Sequence, residues 1–514
     1  MAHLYKTRAL PALLLLLVAL TTSAQPTDFT QVDPADHAFD HWYLDTIEGQ
    51  AAGYWHTSMS IQGDTIVSTY HDYREELHGG EKTTYDHRVV WTETKDFKPI
   101  HIVVTTAAGS DTVTKTYRFT DGGIDLTSEQ NGRTIKRKLP PIKGDYLTAA
   151  QASIATQRHL QRGDKSFELI TLDVNVGTTP FATTYQRSET EPAELELADG
   201  SKTKAHLWTT TFAVFPGFEM KHWIDASHQI VGLAYRVDAI TFESRLADAT
   251  VTKRTFDPPE MSGLSVVVPD QPIRHVNQQK KIVYELSYDA GDHDILPVTT
   301  SKQSVESLGK GKARVTVDLE AKPQAEGKDQ PSVKHLASSI MIDHQDALVR
   351  ELARKATAKL ADDADTKQIA MACKRFVTQH LKGASLSVGD GSASEAARTG
   401  KGDCTECSVL LAALLRVHNI PSRCVTGLVY TEDAFVGQKD VFVYHQWTQA
   451  WIQDEDTKGD WLDLDSAMWR YSAGHIAMGV SAMGDDDQQD LIEIVPMQQD
   501  LKINIIETKK SPPF

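Results

Sequence analysis

Gly402-Asp403-Cys404-Thr405-Glu406-Cys407 runs without a break into Ser408-Val409-Leu410-Leu411-Ala412-Ala413-Leu414-Leu415-Arg416. The apolar run is too continuous for one face of a surface helix. The stretch therefore reads as a loop turning into a central, buried helix over Thr405–His418. Ile420-Pro421 ends that helix, because proline cannot continue it and restricts the residue before it. A cysteine is thus set at a helix start, where unpaired N–H groups and the helix dipole favour a thiolate. Two short strand-like segments follow, Tyr444-His445-Gln446-Trp447 and Trp461-Leu462-Asp463-Leu464-Asp465. A thiol that attacks an amide carbonyl needs a proton shuttle, an orienter for that shuttle, and donors for the developing oxyanion. Cys404, His445 and Asp465 supply the thiol, the shuttle and the orienter in that order, and the Cys404 backbone N–H is a natural oxyanion donor. Asp463 competes with Asp465 as orienter, since a spacing of two puts both on one face of a strand.

The other cysteines leave further readings open. Cys404-x-x-Cys407 at a helix start is also the arrangement of a redox pair. With Cys424 or Cys373 the same pair could hold zinc, although no convincing fourth ligand is spaced to complete the set. Cys373 and Cys424 read as core residues of a helix and a strand, and a Cys407–Cys424 disulfide is open to an exported chain. All four cysteines fall in the last 150 residues, so the fold is not a disulfide scaffold.

Beyond these segments the match is broader. Thr399-Gly400-Lys401-Gly402-Asp403-Cys404-Thr405-Glu406, Leu414-Leu415-Arg416, Ile420-Pro421-Ser422-Arg423 and Thr426-Gly427-Leu428-Val429-Tyr430 together resemble the transglutaminase-like superfamily. So do His445-x-Trp447-Thr448, Leu464-Asp465-Ser466 and Gly474-His475-Ile476-Ala477. The resemblance runs from about Ser338 to the C-terminus. It implies a papain-like α+β core with a Cys-His-Asp triad at Cys404, His445 and Asp465. It also implies chemistry at amide bonds without a cofactor: hydrolysis, deamidation or cross-linking, with some members inactive scaffolds. Three positions depart from the family pattern. Gln449 stands where an acidic residue is common, and Cys407 where histidine or an apolar residue is frequent. No tryptophan lies between Gly383 and Cys404, so no indole oxyanion donor stands just upstream.

The remainder of the chain has a different character. The 514 residues call for about three domains at roughly 150 residues each. A hydrophobic fraction of 40% with 24% charged residues is ordinary globular usage. Residues 1–24 carry Lys6 and Arg8, then the apolar run Ala12–Leu20, then Thr22-Ser23-Ala24, which is the pattern of a cleaved secretory leader. The run is too short to span a bilayer, and no cysteine follows it to carry a lipid. The expectation is an exported protein, periplasmic or secreted, without stable membrane insertion. Loss of Lys6 and Arg8 with that leader takes the net charge from -17 to -19, which disfavours nucleic acid as a partner. A protein or peptide substrate is expected instead.

From about Asp40 to Val268 the sequence reads as antiparallel strands. Trp55, Thr57, Met59 and Ile61 alternate with His56, Ser58 and Ser60, and turn signals recur at Gln62-Gly63-Asp64, Gly79-Gly80, Asp121-Gly122-Gly123 and Asn131-Gly132. One helix interrupts them between Asp145 and Leu160. The expected organisation is a multidomain chain. An all-β meander or sandwich occupies 25–268, a small β module 272–330, and the α+β core 335–514, with Lys322 to Pro331 as a linker. No metal or cofactor site is indicated: Gly484-Asp485-Asp486-Asp487 lacks the spaced oxygens of a calcium loop, and Gly400-Lys401-Gly402 lacks a nucleotide-binding glycine pattern.

Overall fold

The period-two pattern of residues 55–61 becomes one long strand, Gln50–Gln62, with Trp55 and Met59 buried on one face and His56 buried on the other. The computed structural model describes residues 28–510, apart from 79, 109–110, 131, 238–239, 262–265, 290–294, 322–329, 383–390, 436, 454–458, 469, 485–494 and 499. The leader, most of the expected linker and Asp485–Asp487 lie outside the described residues. The chain divides into two units, one ending at Glu260 and the other running from Met261 to the C-terminus.

The first unit is a single antiparallel sheet with fifteen strands among the described residues. From Phe39–Ile47 to Arg133–Leu139 each strand pairs with the next one in sequence, as consecutive hairpins should. Phe39–Ile47 also pairs with Ile240–Ala247, which joins this meander to a second one running back to Ser166–Thr171. The helix Ala149–Arg162 begins with a capping box in which Thr148 and Gln151 satisfy each other's free N–H groups. Ala149, Ile154 and Leu160 enter three separate apolar clusters of the sheet, one of them holding the stacked pair Tyr43 and Trp55. At about 1.5–3 kcal/mol for each large side chain fully buried, these clusters are the main favourable term for the unit.

The second unit holds two sheets and four α-helices among the described residues. One sheet is built on the central strand Val441–Ile452, which pairs with Ser422–Thr431, Asp460–Leu464 and Val266–Val267. Ser422–Thr431 pairs in turn with His475–Ser481. Gly427 is required at that contact: a Cβ there would stand 2.0 Å from the Ile476 carbonyl oxygen. The other sheet comprises Gln279–Ser287, Gln303–Gly309, Lys312–Asp318 and the C-terminal strand Lys502–Lys510. Helices Ala347–Thr357, Thr366–His380 and Ala393–Thr399 surround the helix Cys404–Val417, in which every residue from Thr405 to Arg416 is buried. Cys424, Ala450 and Leu464 of the first sheet join this helical core. Leu428, Tyr430, Phe442 and Tyr444 pack instead with Ile282, Tyr284 and Val315 of the second. Among the described residues no helix is long and apolar enough to cross a membrane.

Candidate active site

The start of the helix Cys404–Val417 is fixed by its own sequence. Asp403 caps it, accepting from the Thr405 N–H at 2.6 Å, while Glu406 reaches back to accept from the Asp403 N–H at 2.9 Å. This reciprocal pair is a capping box, and the spacing Asp-x-x-Glu ahead of an apolar run is its sequence signal. Glu406 also accepts from the Gly391 N–H at 3.0 Å, which ties the preceding segment to the helix start. Burial, reinforced by the Asp403 charge, pushes the Glu406 carboxyl well up. Gly402 makes the fold-back feasible: a Cβ on it would lie 2.4 Å from the Glu406 Cβ.

Cys404 is thereby held in the first helical turn, half-buried, while Cys407 one turn on is buried in the helical core. The four cysteines are free thiols. Burial pushes Cys373 and Cys424 up to about 12, and burial with nearby negative charge pushes Cys407 well up. Cys404 is the thiol of the four that is not buried.

Two hydroxyls pin the helix to the sheet. Thr448 donates to the Ser408 carbonyl at 3.0 Å and Ser466 to the Cys407 carbonyl at 3.1 Å. The same strands carry the polar groups of the site. His445, on Val441–Ile452, sits with Nε2 2.7 Å from Asp465 Oδ2, just past the end of Asp460–Leu464. The Cys404 side chain is another hydrogen-bond partner of His445. With Nε2 engaged by the carboxylate, Nδ1 is the ring nitrogen left for the thiol. Cys404, His445 and Asp465 therefore come together as a hydrogen-bonded chain.

The electrostatics follow from the partners. Burial disfavours a charge on His445, but the Asp465 carboxylate and the bonds to Asp465 and Cys404 outweigh it and raise the imidazole to about 10. Burial likewise opposes ionisation of Asp465, yet His445 and His475 hold its carboxyl well below the usual range. Asp465 Oδ1 accepts in addition from the Ala467 and Met468 N–H groups, at 2.9 and 2.8 Å. Four donors thus surround this carboxylate.

Asp463, the alternative orienter, is committed elsewhere. Its Oδ1 accepts from Trp447 Nε1 and Gln449 Nε2, both at 2.8 Å, and Arg423 Nε donates to Gln449 Oε1 at 2.8 Å. Arg423 also lies 4.1 Å over the Trp461 ring. Gln449, the departure from the family pattern, is here a bridge between a buried cation and a buried carboxylate. A carboxylate at 449 would face Asp463 with like charge.

His475 is the residue whose place the linear reading did not foresee. Its Nε2 lies 3.0 Å from Asp465 Oδ2, the oxygen that His445 also uses. Its position depends on the pairing of Val429 with His475, made across 46 residues of chain, which no local pattern reveals. Among the described residues His445, Asp465 and His475 form the one group of side chains close enough together to hold a metal ion. Their separations of 2.7 and 3.0 Å are hydrogen-bond lengths, and an ion would have to displace the shared protons. No cysteine belongs to that group, so the zinc reading of the Cys404-x-x-Cys407 pair finds no support in the geometry.

Residues 347–466 match the family model of the transglutaminase-like superfamily. The C-terminal part of the chain carries a transglutaminase-like domain. The stretch matched by the model includes Cys404, His445 and Asp465 and stops before His475. Among solved structures, the chain is similar to a candidate cysteine protease from Cytophaga hutchinsonii, at 14% identity and a TM-score of 0.26, over 43% of this chain and 83% of that one. It is also similar to the periplasmic domain of TgpA from Pseudomonas aeruginosa bound to ethylmercury, at 14% identity and a TM-score of 0.27, over 39% and 82%. A third similarity is to a beta-barrel-like protein of a domain of unknown function from Brucella abortus, at 8% identity and a TM-score of 0.29, over 41% and 96%. No curated protein sequence matches the chain.

Proposed function

We propose that the chain is an exported thiol enzyme that acts on amide bonds of proteins or peptides through an acyl-enzyme on Cys404. The observation that carries this reading is the chain of hydrogen bonds from Cys404 through His445 to an ionised, fully bonded Asp465. The Cys404 thiolate attacks the carboxamide carbon, and the carbonyl oxygen takes the negative charge beside the Cys404 backbone N–H. As the tetrahedral adduct collapses, the C–N bond breaks and His445 gives its proton to the leaving amine. Water or a primary amine then attacks the thioester, losing its proton to His445 and releasing Cys404. Asp465 keeps the imidazole in one tautomer and orientation throughout. Cys407 takes no part: it is buried and its thiol is pushed up, which counts against a dithiol redox pair. Export rests on the leader pattern of residues 1–24.

The first test needs no known substrate. Iodoacetamide labelling of the mature chain, resolved by peptide across pH, should modify Cys404 rapidly at mildly acidic pH and leave the other three cysteines intact. His445→Ala should abolish that fast labelling, and Cys407→Ala should preserve it. Labelling of wild type confined to the range of an ordinary thiol, about 8.5, would refute the reading. Release of ammonia or amine from peptide carboxamides by wild type, and its absence in Cys404→Ala, would then establish turnover.

A further inference from the structure

His475 occupies a position that the Cys404–His445–Asp465 chain does not by itself explain. Asp465 Oδ1 is filled by the Ala467 and Met468 N–H groups. Oδ2 has two lone pairs, and two imidazoles meet it, His445 Nε2 at 2.7 Å and His475 Nε2 at 3.0 Å. The carboxylate therefore has no lone pair left for water and no freedom to rotate. On its other side His475 Nδ1 lies 3.2 Å from the Ser472 N–H. A backbone amide only donates, so this contact leaves a lone pair on Nδ1 and the proton on Nε2, facing Asp465. The Ser472 carbonyl, also 3.2 Å from Nδ1, would instead accept from a doubly protonated ring. In both forms Nε2 donates to the carboxylate.

The ring is only 1% exposed, held between Tyr471 at 4.6 Å and Trp447 at 5.3 Å, and so cannot touch a substrate. The titratable groups that face it are Asp465, His445, Tyr471 and, at longer range, Asp463. Its strand does not depend on the imidazole, since His475–Ser481 is held by backbone pairing to Ser422–Thr431.

We propose that His475 is a positioning residue for the thiol relay, a second donor that locks Asp465 and shares its charge with His445. This rests on the reading of Cys404 and His445 as nucleophile and base. The chemical consequence is a matter of degree. A carboxylate serving one imidazole would hold the imidazolium proton more tightly than one serving two, and an over-stabilised imidazolium is a poorer acid towards the leaving amine. His475 keeps Asp465 aimed while limiting that grip.

The test compares the pH profile of Cys404 alkylation by iodoacetamide in the mature full chain with those of His475→Leu, His475→Phe and His475→Gln. Labelling in wild type should show an alkaline step where His445 loses its proton. In His475→Leu and His475→Phe that step should move up by about half a pH unit or more. In His475→Gln, whose side-chain amide can still donate to Asp465, it should return to the wild-type position. If wild type shows no His445-dependent step, the thiol-enzyme reading fails. If wild type shows it and folded His475→Leu leaves it unmoved, the positioning role alone is overturned. Unfolding of both apolar variants would make His475 a structural residue and would also overturn the assignment.

Discussion

Asp72 in the first unit and Asp465 in the second are the same residue type, buried to the same degree (2% and 1% exposed), with opposite acid–base character. Burial raises Asp72 to about 6, and the Arg74 guanidinium, 3.3 Å away, offsets only part of it. Burial raises Glu93 and Asp173 of the first unit to about 7 in the same way, each against a few hydrogen bonds. Asp465 is forced the other way, because two imidazoles and two backbone N–H groups supply more than burial removes. Burial alone therefore does not make a functional carboxylate. A buried group is kept charged only where several donors converge on it, and that convergence is found around the thiol rather than in the large sheet.

The sharpest way to break this comparison is to remove the charge and keep the shape. Asp465→Asn can no longer stabilise an imidazolium and presents His445 with an amide that favours the wrong tautomer. Turnover should fall roughly ten-thousand-fold, as a triad carboxamide does elsewhere, and fast acid-side labelling of Cys404 should vanish. Asp72→Asn, an identical change at equal burial, should leave both untouched. A similar loss in the two variants would show that burial, not the convergence of donors, is what matters.

Much of this site is legible in the chain itself because its determinants are local. The turn from Gly402 into the apolar helix, the proline that ends it, and the strands carrying His445 and Asp465 are each written within a few residues. The Asp403–Glu406 capping box is equally local, an Asp-x-x-Glu spacing ahead of an apolar run. Other features depend on contacts between distant segments. Lys502–Lys510 pairs with Gln279–Ser287 across more than 200 residues of chain, which no periodicity reports. Asp463 and Asp465 share a sequence context, and only the register of Thr448 against Leu464 separates their roles. His475 stands within Gly474-His475-Ile476-Ala477, but its bond to Asp465 exists only after Ser422–Thr431 has paired on both sides.

The opposed shifts also predict opposed responses to pH. An unfolded carboxyl titrates near 4, whereas folded Glu93 and Asp173 hold their protons to about 7. The folded state binds more protons over that window, so these groups weaken the fold as pH rises from about 4 through 7. Glu93→Gln and Asp173→Asn should each raise the melting temperature at pH 8, by an amount equivalent to about 1 kcal/mol or more, and change it little at pH 4. Asp465 has the reverse sign: its folded pKa is depressed, so its contribution is full above about 4 and is lost as pH falls. Asp465→Asn should therefore lower the melting temperature at pH 8 and lower it less in acid. His445 adds an alkaline limb, because its folded proton is retained to about 10 while an unfolded histidine loses it near 6.5. Its contribution is complete below about 6.5 and fades as pH rises through 10. In Asp465→Asn that alkaline decline should flatten.

The smallest expected effect concerns Gln446, next to the base. Its side chain is 3% exposed, and among the described residues neither its amide nitrogen nor its oxygen has a hydrogen-bond partner. On the strand it alternates with His445, falling between Tyr444, which packs toward the second sheet, and Thr448, which bonds the helix at Ser408. An unpaired buried amide costs about 1–3 kcal/mol, and methionine offers nearly the same length without that cost. Gln446→Met should therefore stabilise the second unit by roughly 1 kcal/mol, read as a higher denaturant midpoint at unchanged slope. If the gain in stability comes with slower turnover, the amide is retained at a cost for the reaction. If turnover is unchanged, the convergence of donors in this unit ends at Asp465. A loss of stability would mean instead that water already satisfies the amide in solution, and that Gln446 belongs with the bonded groups of the site rather than with the under-bonded carboxyls of the large sheet.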